Sequence, residues 1–233
     1  MTAMAESPKP TLSLFITGTD TGVGKTLVST ALLYALARHH LRVTGMKPVA
    51  AGTEFIGGVE INTDVLALRA AATLAVPPEL DNPVLLPDPV SPHIAAARAG
   101  VKIDIAHLVA CHRALAALAD AVVVEGAGGF QVPLSASETG ADLAHALGLP
   151  VVLVVGLRLG CLNHALLTAD AIRARGLTLA GWVANHMDAT MLAQEDNIAF
   201  LQQKLQAPLL ATVPYQCVPD PRALTFTLPL EWQ

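Results

Sequence analysis

The sequence predicts an α/β fold, a parallel sheet with helices on both faces, and three observations predict it. Short aliphatic runs alternate with longer amphipathic stretches from Leu12 to Val213, the order of strand–helix–strand crossovers. The runs lack polar alternation, as in Ala121-Val122-Val123-Val124-Glu125, which marks strands covered on both faces. The first run ends in a glycine-rich turn that opens a helix, and ligands in such sheets sit beyond the carboxyl ends of the strands.

That first turn is the most informative stretch. Phe15 to Thr30 reads FITGTDTGVGKTLVST, with Gly22-Val23-Gly24-Lys25-Thr26 at its centre. A strand, a glycine turn, GKT and a helix make a P-loop, so the fold is P-loop NTPase-like. Its backbone N–H groups wrap a polyphosphate, with the helix dipole behind them. Lys25 is placed to reach the outer phosphates and the Thr26 hydroxyl to ligate Mg²⁺. The spacing departs from the usual motif: five residues, not four, separate Gly18 from Gly24, and Thr19 stands at the expected first glycine. ATP or a related nucleotide is the expected ligand.

The remaining elements follow in order. The P-loop helix runs from about Gly24 to His39, and Arg42 to Val49 reads as the second strand. Ala50 to Val59, with three glycines, reads as a loop. Asn62-Thr63-Asp64 starts a helix reaching about Ala75. Val76 to Pro92 is a proline-rich loop, and one that long is usually functional. Ser91-Pro92-His93 opens a short helix stopped by Gly100. Asp104 caps a helix to about Ala119, with Ile105, Leu108, Val109, Leu115 and Leu118 as its apolar stripe. Strands are expected over 121–125, 150–155, 177–184 and 209–213, and helices over 162–175 and 190–205. The tail after Pro214 has little pattern.

Polar residues at the strand ends carry the chemistry. Glu125 closes a strand of pure aliphatics and is followed by Gly126-Ala127-Gly128-Gly129. Beside the P-loop it would hold Mg²⁺ with Thr26, since magnesium takes oxygen ligands and few of them from protein. Asp64 reads equally as a second metal ligand or as an acid complementing a helix dipole. Lys47 sits where a strand exits toward the phosphates. It reads as a cation neutralising charge on a transferred phosphoryl group or as a solvated lysine before Pro48. Asn185-His186-Met187-Asp188 echoes a guanine-reading signature without its lysine, and the Asn185 amide suits base reading because it donates and accepts.

Composition excludes several classes. With 53% apolar and 14% charged residues, 233 residues can build a large core. A net charge of −5 without a basic patch argues against nucleic acid as a partner. Leu149 to Leu157, interrupted by Pro150 and Gly156, is too short to cross a membrane. Three widely spaced cysteines fit reduced thiols in a cytoplasmic protein. The scattered histidines show no zinc spacing. The expected organisation is a disordered tail over 1–10 and a single domain over 11–233.

In blocks from Phe15 to about Tyr215 the chain resembles the dethiobiotin synthetase family. The blocks are TGTDTGVGKT, KPVAAGTE, NTDVLAL, SPHIAAARAG, VEGAGGFQVPLS, VVGLRLGCLNHALLTA, GLTLAGWVAN and APLLATVPY, in that order. The resemblance implies a homodimeric, Mg²⁺- and ATP-dependent cyclo-ligase acting on 7,8-diaminononanoate and CO₂ or bicarbonate. It implies Lys47 and Lys25 as catalytic residues and Thr26, Asp64 and Glu125 as the metal set. Gly22, Val23, Gly24, Lys25, Thr26, Asp64, Glu125, Gly126, Gly128, Asn185, His186, Pro214, Tyr215 and Gln216 would hold ATP. Thr21, Lys47, Ala51 and Ser91 would border the diamine. Gly160, Cys161, Leu162 and Asn163 would reach across the dimer to its carboxylate, as a helix N-terminus favours an anion. Gly22, Ala51 and Gln131 depart from residues common in the family. Rival readings are a partitioning-type ATPase switch and a cobyrinate-type amide synthetase. The switch has an extra lysine early in its P-loop, absent from residues 17–24; the amide synthetase needs an amidotransferase domain for which this chain has no room.

Overall fold

The computed structural model describes residues 11–233, so the tail expected over residues 1–10 lies outside the described residues. β1 (Leu12–Gly18) leads into α1 (Lys25–Leu36) and β2 (Val43–Met46). β3 (Val49–Ala51) follows, then β4 (Glu54–Ile56), β5 (Val59–Ile61) and α2 (Thr63–Ala71). A short α3 (Pro78–Asp81) and β6 (Val84–Leu86) precede α4 (Pro92–Ala99) and α5 (Ile105–Leu118). β7 (Ala121–Glu125), α6 (Gly140–Leu147), β8 (Val151–Leu157) and α7 (Cys161–Ala174) come next. β9 (Leu179–His186), α8 (Gln194–Lys204) and β10 (Leu209–Val213) complete the alternation.

Six strands form one parallel sheet in the order β10-β9-β8-β1-β7-β2. Alternate residues of each strand point to opposite faces, and both faces are buried. Phe15, Val122, Val124, Val151, Leu153 and Trp182 pack on one side with α5 to α8. Leu14, Ile16, Val123, Val152, Val154 and Val183 pack on the other with α1 and α2. This is why the strands read as unbroken aliphatic runs. Each fully buried leucine or valine contributes about 1.5–3 kcal/mol of transfer free energy, so the sheet is the rigid floor of the site.

The structure refines the expected elements. The strand expected over 42–49 breaks at Lys47-Pro48. β2 ends at Met46, and β3 joins β6 in a separate two-stranded sheet. The loop expected over 50–59 contains the β4–β5 hairpin, turned by Gly57-Gly58. The helix from Asn62 stops at Ala71, because Ala72 is extended and Thr73 bonds back to β2. The stretch 76–92 contains α3 and β6. α6 is an addition to the expected elements; its signal is the Thr139–Asp142 capping box. α8 starts at Gln194, since Asp188 holds the Thr190 N–H and hydroxyl in a local turn. On α5 the buried positions include Cys111 and His112, while Leu118 is exposed.

The tail after Pro214 is also built into the fold. Leu224 and Trp232 are buried against the α1 face, the Thr227 N–H donates to the Leu210 carbonyl at 2.8 Å, and His40 Nε2 pairs with the Trp232 carbonyl at 3.0 Å.

His112 gives a pH prediction. It is buried on α5 with Nε2 3.1 Å from Ser13 Oγ. Burial, then the neighbouring Arg113, hold its pKa below the ordinary 6.5. Below that pH the unfolded chain binds a proton the folded chain resists, so this contribution is full above pH 6.5 and declines as pH falls through it. Thermal melts between pH 7.5 and 5.5 should therefore lose less stability in His112→Gln than in wild type; parallel curves would show that the histidine is not buried in neutral form.

Candidate functional site

Register places the site. Ile16 of β1 pairs with Glu125 of β7, and Met46 of β2 pairs with Val124. The P-loop, Glu125 and Lys47 therefore leave three adjacent strands at the same edge of the sheet. α2 adds Asp64 from its first turn, with the Asn62 side chain capping that turn through the Asp64 and Val65 N–H groups.

These residues form one network. The Thr26 hydroxyl lies 2.8 Å from Asp64 Oδ1 and 2.9 Å from Glu125 Oε1. Having a single proton, it donates to one carboxylate at a time. Lys47 Nζ donates to Glu125 Oε1 at 2.5 Å and to Asp64 Oδ2 at 2.9 Å. Glu125 is 0% exposed and Lys47 only 5%. Burial alone would lower the lysine's pKa, but the Glu125 and Asp64 charges outweigh it and hold it above the ordinary lysine range. Burial would likewise raise Asp64, and Lys47 reverses the effect. Lys25 lacks such a direct partner: Nζ donates to the Asp20 carbonyl at 3.1 Å. Burial, then repulsion from Lys47, lower its pKa to about 8. A polyphosphate beside it restores the charge.

Glu125 Oε2 is buried without a hydrogen-bond partner. A carboxylate with one orphaned oxygen, whose other oxygen shares the Thr26 hydroxyl with a second carboxylate, suits a hard cation with oxygen ligands. Among the described residues no group of three or more His, Cys, Asp or Glu is arranged to hold a metal. Two carboxylates and a hydroxyl instead match magnesium, which keeps waters and phosphate oxygens for the rest of its shell.

Two clefts flank the P-loop. The larger, about 670 Å³, is lined by Thr21, Gly22, Gly24, Lys25, Thr26, Lys47, Ala51, Asp64, Ser91, Glu125 and Gly128 among the expected residues. Val49, Pro89, Val90, Pro92, Ala127 and Val132 also line it. None of the six has a side chain with a chemical signature, and only Pro89, Val90 and Pro92 lie in the proline-rich stretch. The smaller, about 210 Å³, is lined by Gly24, Asn185, His186, Pro214, Tyr215 and Gln216, with Leu27, Met187, Val213 and Pro219 added.

Some expected residues stand elsewhere. Val23 is buried, and its carbonyl accepts the Asn185 amide at 2.9 Å. Gly126 is buried under β1, where a Cβ would come within 3.1 Å of the Phe15 ring. Both support the loop and line neither cleft. Asn185 also donates to Met187 Sδ, so its NH₂ group is committed within the protein and the carbonyl oxygen remains for a ligand. Gly160, Cys161, Leu162 and Asn163 open α7 and line neither cleft of this chain.

Residues 13–221 match a family model described as an AAA domain. Solved structures similar to this chain share its fold at low identity. The signal recognition particle receptor FtsY from Elizabethkingia anophelis, in complex with GDP, is 15% identical with a TM-score of 0.56. The match covers 98% of this chain and 64% of that chain. The septum site-determining protein MinD from Pyrococcus horikoshii, complexed with Mg-ADP, is 19% identical at a TM-score of 0.56, covering 88% and 82%. A ParA family ATPase from Chlorobium tepidum is 13% identical at 0.55, covering 89% and 86%. The fold is that of the P-loop nucleotide-binding proteins.

The loop geometry yields a prediction. Gly24 has φ +89°, and a Cβ there would lie 2.3 Å from Asn185 Nδ2. Gly24→Ala should strain the loop, displace Asn185 and weaken Mg·ADP binding by more than about tenfold, or about 1.4 kcal/mol. Gly148→Ala, at φ +65° with open space around it, should leave binding unchanged. Calorimetric titration checks both, and equal effects would show that left-handed strain alone is responsible.

Proposed function

We propose that this chain, which belongs to the AAA-domain family, is an ATP-dependent ligase of the dethiobiotin synthetase kind. It closes the ureido ring of dethiobiotin from 7,8-diaminononanoate and CO₂. The observation carrying this reading is a single large cleft in which two lysines and two carboxylates beside the P-loop share their space with Ala51, Ser91 and Val132. Pure nucleotide hydrolysis needs only the phosphate end of that cleft; a small co-substrate needs the rest.

One amine of the diamine takes up CO₂ as a carbamate. A carbamate oxygen attacks the γ-phosphorus of ATP, giving a carbamic–phosphoric anhydride and ADP. The second amine attacks the carbamoyl carbon, closes the ring and expels phosphate. Phosphoryl transfer of this kind depends on positioning and charge neutralisation more than on a strong base. Lys25 follows the outer phosphates from the P-loop. Lys47, held between Glu125 and Asp64, presents its charge toward the transferred group and the carbamate. Thr26, Asp64 and Glu125 would hold Mg²⁺, which when bound neutralises phosphate charge as a Lewis acid. The smaller cleft beside Asn185, His186, Pro214, Tyr215 and Gln216 would take the adenine.

The N-terminus of α7, Gly160 to Asn163, would serve the substrate carboxylate of a partner subunit, making the enzyme a homodimer. We place the protein in the cytoplasm and read residues 11–233 as one domain; among the described residues no helix is long and apolar enough to cross a membrane.

The fold likeness to MinD and a ParA family ATPase favours one alternative, a nucleotide-driven switch without a small substrate. Phosphate release that requires diamine plus bicarbonate, with dethiobiotin detected by mass spectrometry, supports the ligase; release stimulated only by DNA or lipid supports the switch. In the ligase, Lys47→Gln should lower turnover by roughly 10²- to 10³-fold, the scale for losing one charge-stabilising group, with Mg·ADP affinity nearly kept. Unchanged kinetics would remove Lys47 from the chemistry.

A further inference from the structure

We infer that Asn82, in a turn locked to α2 by the Arg69–Asp81 ion pair, is a positioning residue for Lys47. The inference rests on the catalytic role proposed above for that lysine. Lys47 is the residue at which the chain leaves the main sheet. β2 has ended at Met46, and Pro48 has no N–H to continue a ladder. The strand that delivers the lysine therefore does not fix its backbone.

The segment Asp81 to Val84 fixes it instead. The Lys47 N–H donates to the Asp81 carbonyl at 2.7 Å. Asn82 Nδ2 donates to the Lys47 carbonyl at 2.7 Å and to the Val84 carbonyl at 3.2 Å. The Val84 N–H donates to the Pro48 carbonyl at 3.2 Å. Every main-chain hydrogen-bonding group of Lys47-Pro48 is thus met from one short segment, by Asp81, Asn82 and Val84. The turn itself is clamped: Arg69 Nε and Nη2 fork onto the two oxygens of Asp81 at 2.7 and 2.6 Å, and the Asp81 side chain is only 5% exposed.

Arg69 lies on α2, the helix that presents Asp64. One rigid helix therefore sets both the carboxylate that accepts from Lys47 and, through Asp81 and Asn82, the backbone from which Lys47 reaches out. A lysine has a long, flexible stem, so aiming its ammonium at a reacting group requires a fixed Cα. A displacement of about 1 Å at the reacting centre costs on the order of 10² in rate.

The test compares wild type with Asn82→Ala, which removes the donor, and Arg69→Lys, which removes the fork but keeps the charge. Asn82→Ala should reduce kcat for diamine-dependent phosphate release by about 10- to 100-fold. KM for ATP and Mg·ADP affinity should stay within about twofold, because among the described residues no hydrogen bond joins the P-loop to the turn. Arg69→Lys should shift the same parameters in the same direction, by less. A [¹⁵N]lysine-labelled amide spectrum reports independently of turnover: the Lys47 resonance should move in Asn82→Ala, and that of Lys25 should not. Unchanged kcat, nucleotide affinity falling in step with kcat, or an unmoved Lys47 resonance each overturns the inference. If wild type shows no diamine-dependent turnover, the ligase reading fails by itself, and the amide spectrum still decides whether Asn82 positions Lys47.

Discussion

The site depends on pairing a carboxylate that lies wholly inside the protein. Glu125 ends a central strand with no solvent exposure, and burying a charged group without a partner is costly. Lys47 answers it at 2.5 Å, and Asp64 and Thr26 close the ring around the pair. Removing Lys47 would leave the Glu125 carboxylate buried without an ion-pair partner, which destabilises more than the pair itself stabilises. The four side chains come from four separate elements, so a structural requirement gathers the same groups that the proposed chemistry uses.

The fold makes that gathering possible. In a parallel sheet every strand ends at the same edge, so β1, β7 and β2 deliver the P-loop, Glu125 and Lys47 side by side. Hydrophobic cores on both faces hold the strands rigid. The cost of this design appears where the chain leaves the sheet. Around Lys47-Pro48 the ladder stops, and the Asp81–Val84 segment takes over its hydrogen bonds. A proline-rich stretch that read as irregular loop thus has a structural task.

Much was legible before the structure. The P-loop was readable because phosphate binding requires a particular residue order at a particular turn. Glu125 was readable because a charge after four aliphatic residues has few structural reasons to be there. Asp64 and Lys47 stayed ambiguous: each residue type is common at its local position, as a helix dipole acid or a lysine before proline. Only the structure shows that the two touch each other. Asn185 was marked for its donor and acceptor, yet its donors are spent on Val23 and Met187, partners distant in sequence or invisible to pattern.

By itself the sequence determined the fold class, the phosphate loop and the identity of the charged groups, because periodicity and turn chemistry are local properties written in consecutive residues. Tertiary structure alone decided which of those groups touch: that Lys47 sits between two carboxylates, that Asn82 and Arg69 stand behind it, and that Trp232 at the chain's end is buried against the first helix face. Those contacts join residues far apart in the chain, and their strength arises from burial and charge pairing, which exist only once the sheet has brought them together.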